Sequence, residues 1–190
     1  MTSNENDYPW ELTPKFLNHH QSRLWFDLLV GSVEWFQPIV KVFGKEHLVP
    51  RQTSFIAEKG ISYRYSGTVH YGEGWPIWFS PILDRVNSYT GVAFNGCLLN
   101  LYRDGRDRMG WHSDDEIELD PTKPIASLSL GSQRDFHFKK RYSNHRTNIN
   151  LKNGDLLIMN PPCQLNWLHC LPTRRRIEEP RINLTFRVYK

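Results

Sequence analysis

From Cys97 onward the chain is cut into strand-length apolar runs by closely spaced turn residues, and this limits its possible folds more than any other feature. Cys97–Tyr102, Ile125–Leu130, Asp135–Lys139, Asp155–Met159 and Arg181–Tyr189 read as strands. Gly105, Gly110, Gly131, Gly154, Pro161-Pro162 and Pro172 punctuate them. Strands this short and this close predict an all-β sandwich or barrel. The signals upstream are helical. Thr13-Pro14 offers a hydroxyl cap and a proline whose missing N–H costs nothing in a first turn. Phe16, Leu17, Leu24, Trp25 and Leu28 give that helix an apolar side out to about Val30, closed by Gly31. Ser80-Pro81 predicts a second helix, with Ile82, Leu83, Val86 and Tyr89 on one face and Gly91 at its end. Between the helices, Trp35 to Tyr65 is strand-like but broken by Pro38, Gly44 and Pro50, a set of ribbons rather than a sheet. Residues 1–12 read as a flexible arm and 13–190 as a single domain.

Composition narrows the class. A chain of 190 residues with 39% hydrophobic and 23% charged residues is that of one folded domain, not a disordered segment. A net charge of +4 permits a polyanionic partner without demonstrating one. Cys97, Cys163 and Cys170 form no CxxC pair, so neither a disulfide framework nor a cysteine-rich zinc site is expected, and a reducing compartment fits. Met1 to Leu12 lacks the basic and apolar regions of a secretory signal, and no apolar run reaches the ~18–20 residues of a membrane span. The expectation is an intracellular monomer without membrane contact, cytoplasmic in a bacterium and nuclear in a eukaryote.

In Arg181-Ile182-Asn183-Leu184-Thr185-Phe186-Arg187 polar and apolar residues alternate. Side chains alternate faces along a strand, so Arg181, Asn183, Thr185 and Arg187 share one side while the apolar residues pack behind. On an open sheet that polar side is a solvated face. In a closed barrel it lines the interior, where two arginines about 20 Å apart at Cα leave a gap sized for a small dicarboxylate. Trp111-His112-Ser113-Asp114 supplies a second feature: His112 and Asp114 point the same way in an extended segment, as two ligands of one Fe, Mn or Zn ion must. One such His-x-Asp/Glu is expected by chance in this composition, and a metal needs a third ligand. His169, beyond a strand and a turn, is a candidate; its bland reading is a satisfied core histidine.

Taken in order, the His-x-Asp, the distant His and the Arg-x-Asn-x-Thr-x-Arg strand resemble the Fe(II)/2-oxoglutarate dioxygenases, and within them the AlkB family of nucleic-acid dealkylases. The resemblance covers about residues 33–190. It includes Asn100-Leu-Tyr102-Arg-Asp-Gly105, Pro124 to Gly131, and Arg134-Asp-Phe136. It implies a mainly β fold with N-terminal helices, a double-stranded β-helix (jelly roll) core over about 93–190, and a finger and nucleotide-recognition lid over about 33–75. It implies that His112, Asp114 and His169 hold Fe(II). It also implies that Arg181 pairs with the distal carboxylate of 2-oxoglutarate and Arg187 lies at the near end. Asn100, Tyr102, Asn183 and Thr185 complete that site, and O2 is the other co-substrate.

A closer likeness, to AlkB homologues acting on duplex DNA, lies in Val42-Phe43-Gly44-Lys45 followed by Val49-Pro50-Arg51. It implies a hairpin finger with Phe43 as an apolar wedge on the Gly44 turn and Lys45 as a phosphate cation, filling the gap left by a flipped base. Tyr63-Arg64-Tyr65 is similar to the family's base-gripping strand, and Asp115 to a base-contacting carboxylate, although it should point away from Asp114. The cations from His137 to Arg146, and Arg174-Arg175-Arg176, are either phosphate contacts or solvated loops. The implied reaction is oxidative dealkylation of N-alkylated bases such as 1-methyladenine and 3-methylcytosine in DNA, yielding formaldehyde, succinate and CO2. The alternatives are the same chemistry on RNA or another macromolecule, and a non-catalytic nucleic-acid-binding barrel.

Overall fold

The computed structural model describes residues 8–42, 44–65 and 68–190. In chain order the strands are β1 (Trp10–Thr13), β2 (Ile39–Val42), β3 (Lys45–Leu48), β4 (Gln52–Ala57), β5 (Ser62–Tyr65), β6 (Thr68–Tyr71), β7 (Gly96–Tyr102) and β8 (Met109–His112). They continue with β9 (Ile125–Gly131), β10 (Arg134–Lys140), β11 (Arg146–Leu151), β12 (Leu156–Met159), β13 (Trp167–Leu171) and β14 (Arg181–Arg187). Helix α1 (His19–Ser32) follows β1, α2 (Ser80–Thr90) precedes β7, and the short α3 (Pro161–Asn166) precedes β13.

Two antiparallel sheets form the jelly roll. One runs β1-β12-β9-β14-β7-β4 and the other β11-β10-β13-β8, while β2-β3 and β5-β6 are separate hairpins. The register of β14 explains where the site falls. Arg181, Asn183 and Thr185 stand opposite Tyr102, Asn100 and Leu98 on β7, and opposite Gly131, Ser129 and Ser127 on β9. Cross-strand partners project to the same face, so this register collects a polar row inside the roll. The intervening residues Ile182, Leu184 and Phe186, with Leu99, Leu128 and Ala126, bury the other face against Leu29 of α1 and Ile82 and Val86 of α2. The helices therefore cover the back of the large sheet and leave its polar face for the small sheet to close over.

The helix predicted from Thr13-Pro14 begins later. Asn18 accepts from the Gln21 backbone while the Gln21 side chain accepts from the Asn18 backbone, a reciprocal cap that starts α1 at His19. Leu24 and Leu28 are exposed, whereas Phe16 and Leu17 are buried with Leu29 and Trp25 packs against them, so the apolar side assigned from sequence is the packed one only in part. Nor is 1–12 an arm throughout. Trp10–Thr13 pairs with Leu156–Met159, and Trp10 stacks on Phe138 with centroids 3.7 Å apart. The large sheet also recruits β4, so the core extends upstream of residue 93. Helix α2 matches expectation: Pro81 lies in its first turn and Gly91 caps it with φ 68°.

Candidate metal and co-substrate site

His112 and His169 are direct cross-strand partners on β8 and β13, which sets their imidazoles on one face with ring centroids 4.2 Å apart. Asp114 follows in the loop after β8, held by its own N–H donating to Oε1 of Gln164 on α3 at 2.9 Å. One ligand atom from each of His112, Asp114 and His169 lies within 4.8 Å of the others. The His112 Nδ1 is 2.9 Å from the carbonyl of Gly110, which accepts only, so Nδ1 carries a proton and Nε2 is the nitrogen left to face the other two ligands. Burial, then the neighbouring His112, pulls His169 down to about 3, so its imidazole is neutral at pH 7. Burial would raise Asp114, but the Arg187 guanidinium and the two imidazoles hold it below the ordinary carboxylate range. Two imidazoles and one carboxylate on one side form the donor set of a facial triad, which suits Fe(II) with open positions.

A small pocket opens beside the triad, lined by Asn100, Tyr102, Ser127, Asn183, Thr185 and Arg187 among others. Arg181 lies behind Tyr102 with its guanidinium 5.4 Å from the ring centroid, 2% exposed, and donates to Ser129 Oγ at 2.9 Å. Among the described residues no carboxylate pairs with it, its Nε has no acceptor, and burial brings it down to about 10. A buried cation without a counter-charge is costly, so the wall behind Tyr102 favours an anion at this end of the pocket. Arg187 differs: it pairs with Asp114 at 2.8 Å.

Asn183 donates to Ser127 Oγ and the Leu128 carbonyl and accepts from Thr185, bracing β14 against β9. Arg51 departs from the sequence expectation of a finger cation. It is 4% exposed, sits in the pocket wall, and donates from Nε to Asn100 Oδ1 at 2.8 Å.

The structure treats the remaining substrate candidates unequally. Tyr63 is 1% exposed, and its hydroxyl donates to Glu116 Oε1 at 2.7 Å. Burial keeps that phenol protonated. Glu116 went unnoticed in the sequence although it lies two residues past Asp114. Its Oε2 is buried and has no partner among the described residues. Asp115 instead points out, its side chain 64% exposed and bonded to Ser113 and Arg141. Arg64 is exposed, and Gly44 (φ 78°) and Lys45 form an exposed turn. Phe43 and the side chain of Tyr65 lie outside the described residues. Arg174 is not a free loop cation: it donates to both oxygens of Asp135.

The 2OG-Fe(II) oxygenase superfamily model matches residues 10–187, a span that carries the whole triad and both arginines. The chain belongs to that superfamily. It is an Fe(II)/2-oxoglutarate-dependent oxygenase of the AlkB type, with O2 as the second co-substrate. Over 173 residues it is 43% identical to the mouse DNA oxidative demethylase ALKBH2, covering 85% of this chain and 72% of that protein. The Arabidopsis thaliana protein of the same name is 34% identical over 201 residues, covering 92% and 64%. Human alpha-ketoglutarate-dependent dioxygenase alkB homolog 3 is 34% identical over 186 residues, covering 93% and 64%. The chain thus spans close to two thirds of the latter two relatives. The solved structure of OsALKBH1 shares the fold, with a TM-score of 0.64 at 21% identity over 95% of this chain and 98% of that one. No helix among the described residues is long and apolar enough to cross a membrane.

Proposed function

We propose that this oxygenase dealkylates N-alkylated bases in DNA by oxidation, restoring the base directly. The observation that carries the reading is one pocket with two differently built ends meeting at the triad. One end is lined by Tyr102, with the unpaired Arg181 guanidinium directly behind its ring; the other holds the Tyr63 hydroxyl and a Glu116 Oε2 that has no partner among the described residues. A buried carboxylate oxygen beside an aromatic ring suits the exocyclic amino group and positive charge of a methylated adenine or cytosine. The relatives named as DNA oxidative demethylases support the same substrate class.

When bound, iron with 2-oxoglutarate and O2 supplies the oxidation that hydroxylates the N-alkyl carbon, leaving succinate and CO2; the hemiaminal then splits into formaldehyde and the free base. The chain's own residues do the positioning. His112, Asp114 and His169 hold the ion, and Arg181 receives the distal carboxylate, with Tyr102 stacked against the guanidinium. Arg51 fixes the Asn100 carbonyl, which leaves the Asn100 amide to donate into the pocket. Arg187 occupies one oxygen of Asp114. Tyr63 and Glu116 orient the base against the triad.

The hairpin of β2 and β3, with Gly44 and Lys45 at its turn, is the segment assigned to opening a duplex, and Phe43 its wedge. The test is formaldehyde and succinate release from 1-methyladenine and 3-methylcytosine in duplex, single-stranded and RNA oligonucleotides. The reading expects both products in equal amounts from DNA. Turnover of methylated RNA with none of DNA would reassign the substrate.

A further inference from the structure

The loop joining β10 to β11 carries an aromatic side chain in an unusual state. Tyr142 has φ 56°, left-handed backbone that a bulky side chain rarely adopts. Its side chain nevertheless gains no packing, since the residue is 104% exposed. The loop around it is firmly held. Lys140 N–H donates to the His145 carbonyl at 3.0 Å, and Arg141 N–H to that of Asn166 at 2.8 Å. The Arg141 guanidinium donates to Ser113 Oγ at 2.6 Å, between the ligands His112 and Asp114. Tyr142 is therefore a strained, exposed ring mounted one residue from a side chain that touches the rim of the active site. Backbone strain that brings no packing in return is a mark of a functional position.

The surroundings indicate what the ring meets. An open groove runs from the active site to Tyr142, and Asp114, Glu116 and Arg187 line both it and the metal pocket. The groove's lining mixes acceptors such as Asp115 and Asp120 with the donors Lys123, Asn166 and Lys190, a polar wall able to hydrogen-bond the edge of a base. Beside it the hairpin carries Lys139, Lys140 and Arg146, and residues 139–146 contain no acid, which suits a polyanionic backbone outside the groove. A base in the groove with its phosphates along the hairpin satisfies both.

We infer that Tyr142 is a nucleobase-stacking residue that takes a base of the substrate strand adjoining the extruded one. The inference rests on the DNA-dealkylase reading and adds to it a second aromatic contact, far along the chain from the Phe43 finger. Stacking of this kind is tolerant of base identity and strengthens binding of unpaired nucleotides.

The test compares Y142A, Y142F and Y142G with wild type in two assays. In the first, anisotropy measures binding of an unmethylated single-stranded oligonucleotide, which needs no turnover. Y142A and Y142G should each weaken it about tenfold, the loss of one stack, while Y142F binds as wild type does. Y142G should at the same time raise the Tm, since glycine relieves the left-handed backbone. In the second, KM for a 3-methylcytosine oligonucleotide should rise about tenfold in Y142A, and KM for the methylated mononucleoside by less than twofold. Unchanged oligonucleotide binding in Y142A and Y142G, or equal KM rises on both substrates, would overturn the stacking role. Tyr142-dependent binding with no demethylation by wild type would overturn the dealkylase reading and leave the stacking contact standing.

Discussion

Arg187 Nη2 stands 2.8 Å from Oδ1 of Asp114, with both side chains about one-twentieth exposed. This ion pair ties the last strand to a metal ligand and neutralises Asp114 before any ion arrives. Breaking a buried pair by removing one partner leaves an uncompensated charge, typically at about 3–5 kcal/mol. R187M should destabilise the metal-free protein by about that much. A divalent ion supplies a replacement counter-charge, so saturating Mn(II) should recover much of the loss. Urea unfolding with and without Mn(II) checks this; an equal penalty in both conditions contradicts it.

Arg181 presents the opposite case, a buried cation with no carboxylate among the described residues. R181M should leave the ligand-free protein no less stable than wild type, because relief of an unpaired buried charge offsets the lost Ser129 hydrogen bond and Tyr102 contact. It should abolish the stabilisation by 2-oxoglutarate, about 2.7 kcal/mol at a hundredfold excess over Kd in wild type. Thermal melts with Mn(II) and 2-oxoglutarate read both effects.

Arg51 acts through Asn100. R51M frees the Asn100 carbonyl to turn, so KM for 2-oxoglutarate should rise about tenfold, the scale of one hydrogen bond to a charged group. If the KM for methylated DNA moves and that for 2-oxoglutarate does not, Arg51 is a substrate contact instead.

The buried thiols make a pH prediction. Burial pushes Cys163 up from 9.0 to about 12, Cys170 to about 11, and Cys97 upward as well. Above pH 9 the unfolded chain releases these protons and the folded one keeps them, so stability falls as pH rises from 9 toward 12. Replacing Cys163 with Ser should flatten that slope in urea titrations at pH 8, 9.5 and 10.5. The same burial should leave the thiols unreactive toward a disulfide reagent until the protein unfolds.

Much of this was legible because strand alternation is a strict rule. The odd-numbered polar residues from 181 to 187 and the Asn100/Tyr102 pair could be placed on one face by counting, and the register of β14 with β7 then made them neighbours. His112 and His169 are 57 residues apart in sequence, and their meeting depended on a pairing of β8 with β13 that periodicity does not encode; the family resemblance supplied it. Glu116 was missed although alternation past Asp114 would have exposed it, since attention fell on the adjacent Asp115. Arg51 was read with the finger because it follows Val49-Pro50 in sequence, whereas its burial against Asn100 depends on a long-range contact that local pattern does not encode. The start of α1 was misplaced because Thr13-Pro14 is a good cap locally, whereas Trp10–Thr13 is claimed by β12. Tertiary pairing overrode the local signal there.

The central claim is that His112, Asp114 and His169 share one ferrous ion with 2-oxoglutarate beside it. Anaerobic calorimetric titration of Fe(II) in the presence of 2-oxoglutarate tests it most directly, on wild type, H112A, D114A and H169A. One tight site per chain in wild type and its loss in all three variants is the predicted result. Undiminished Fe(II) binding in any of the three would contradict the account.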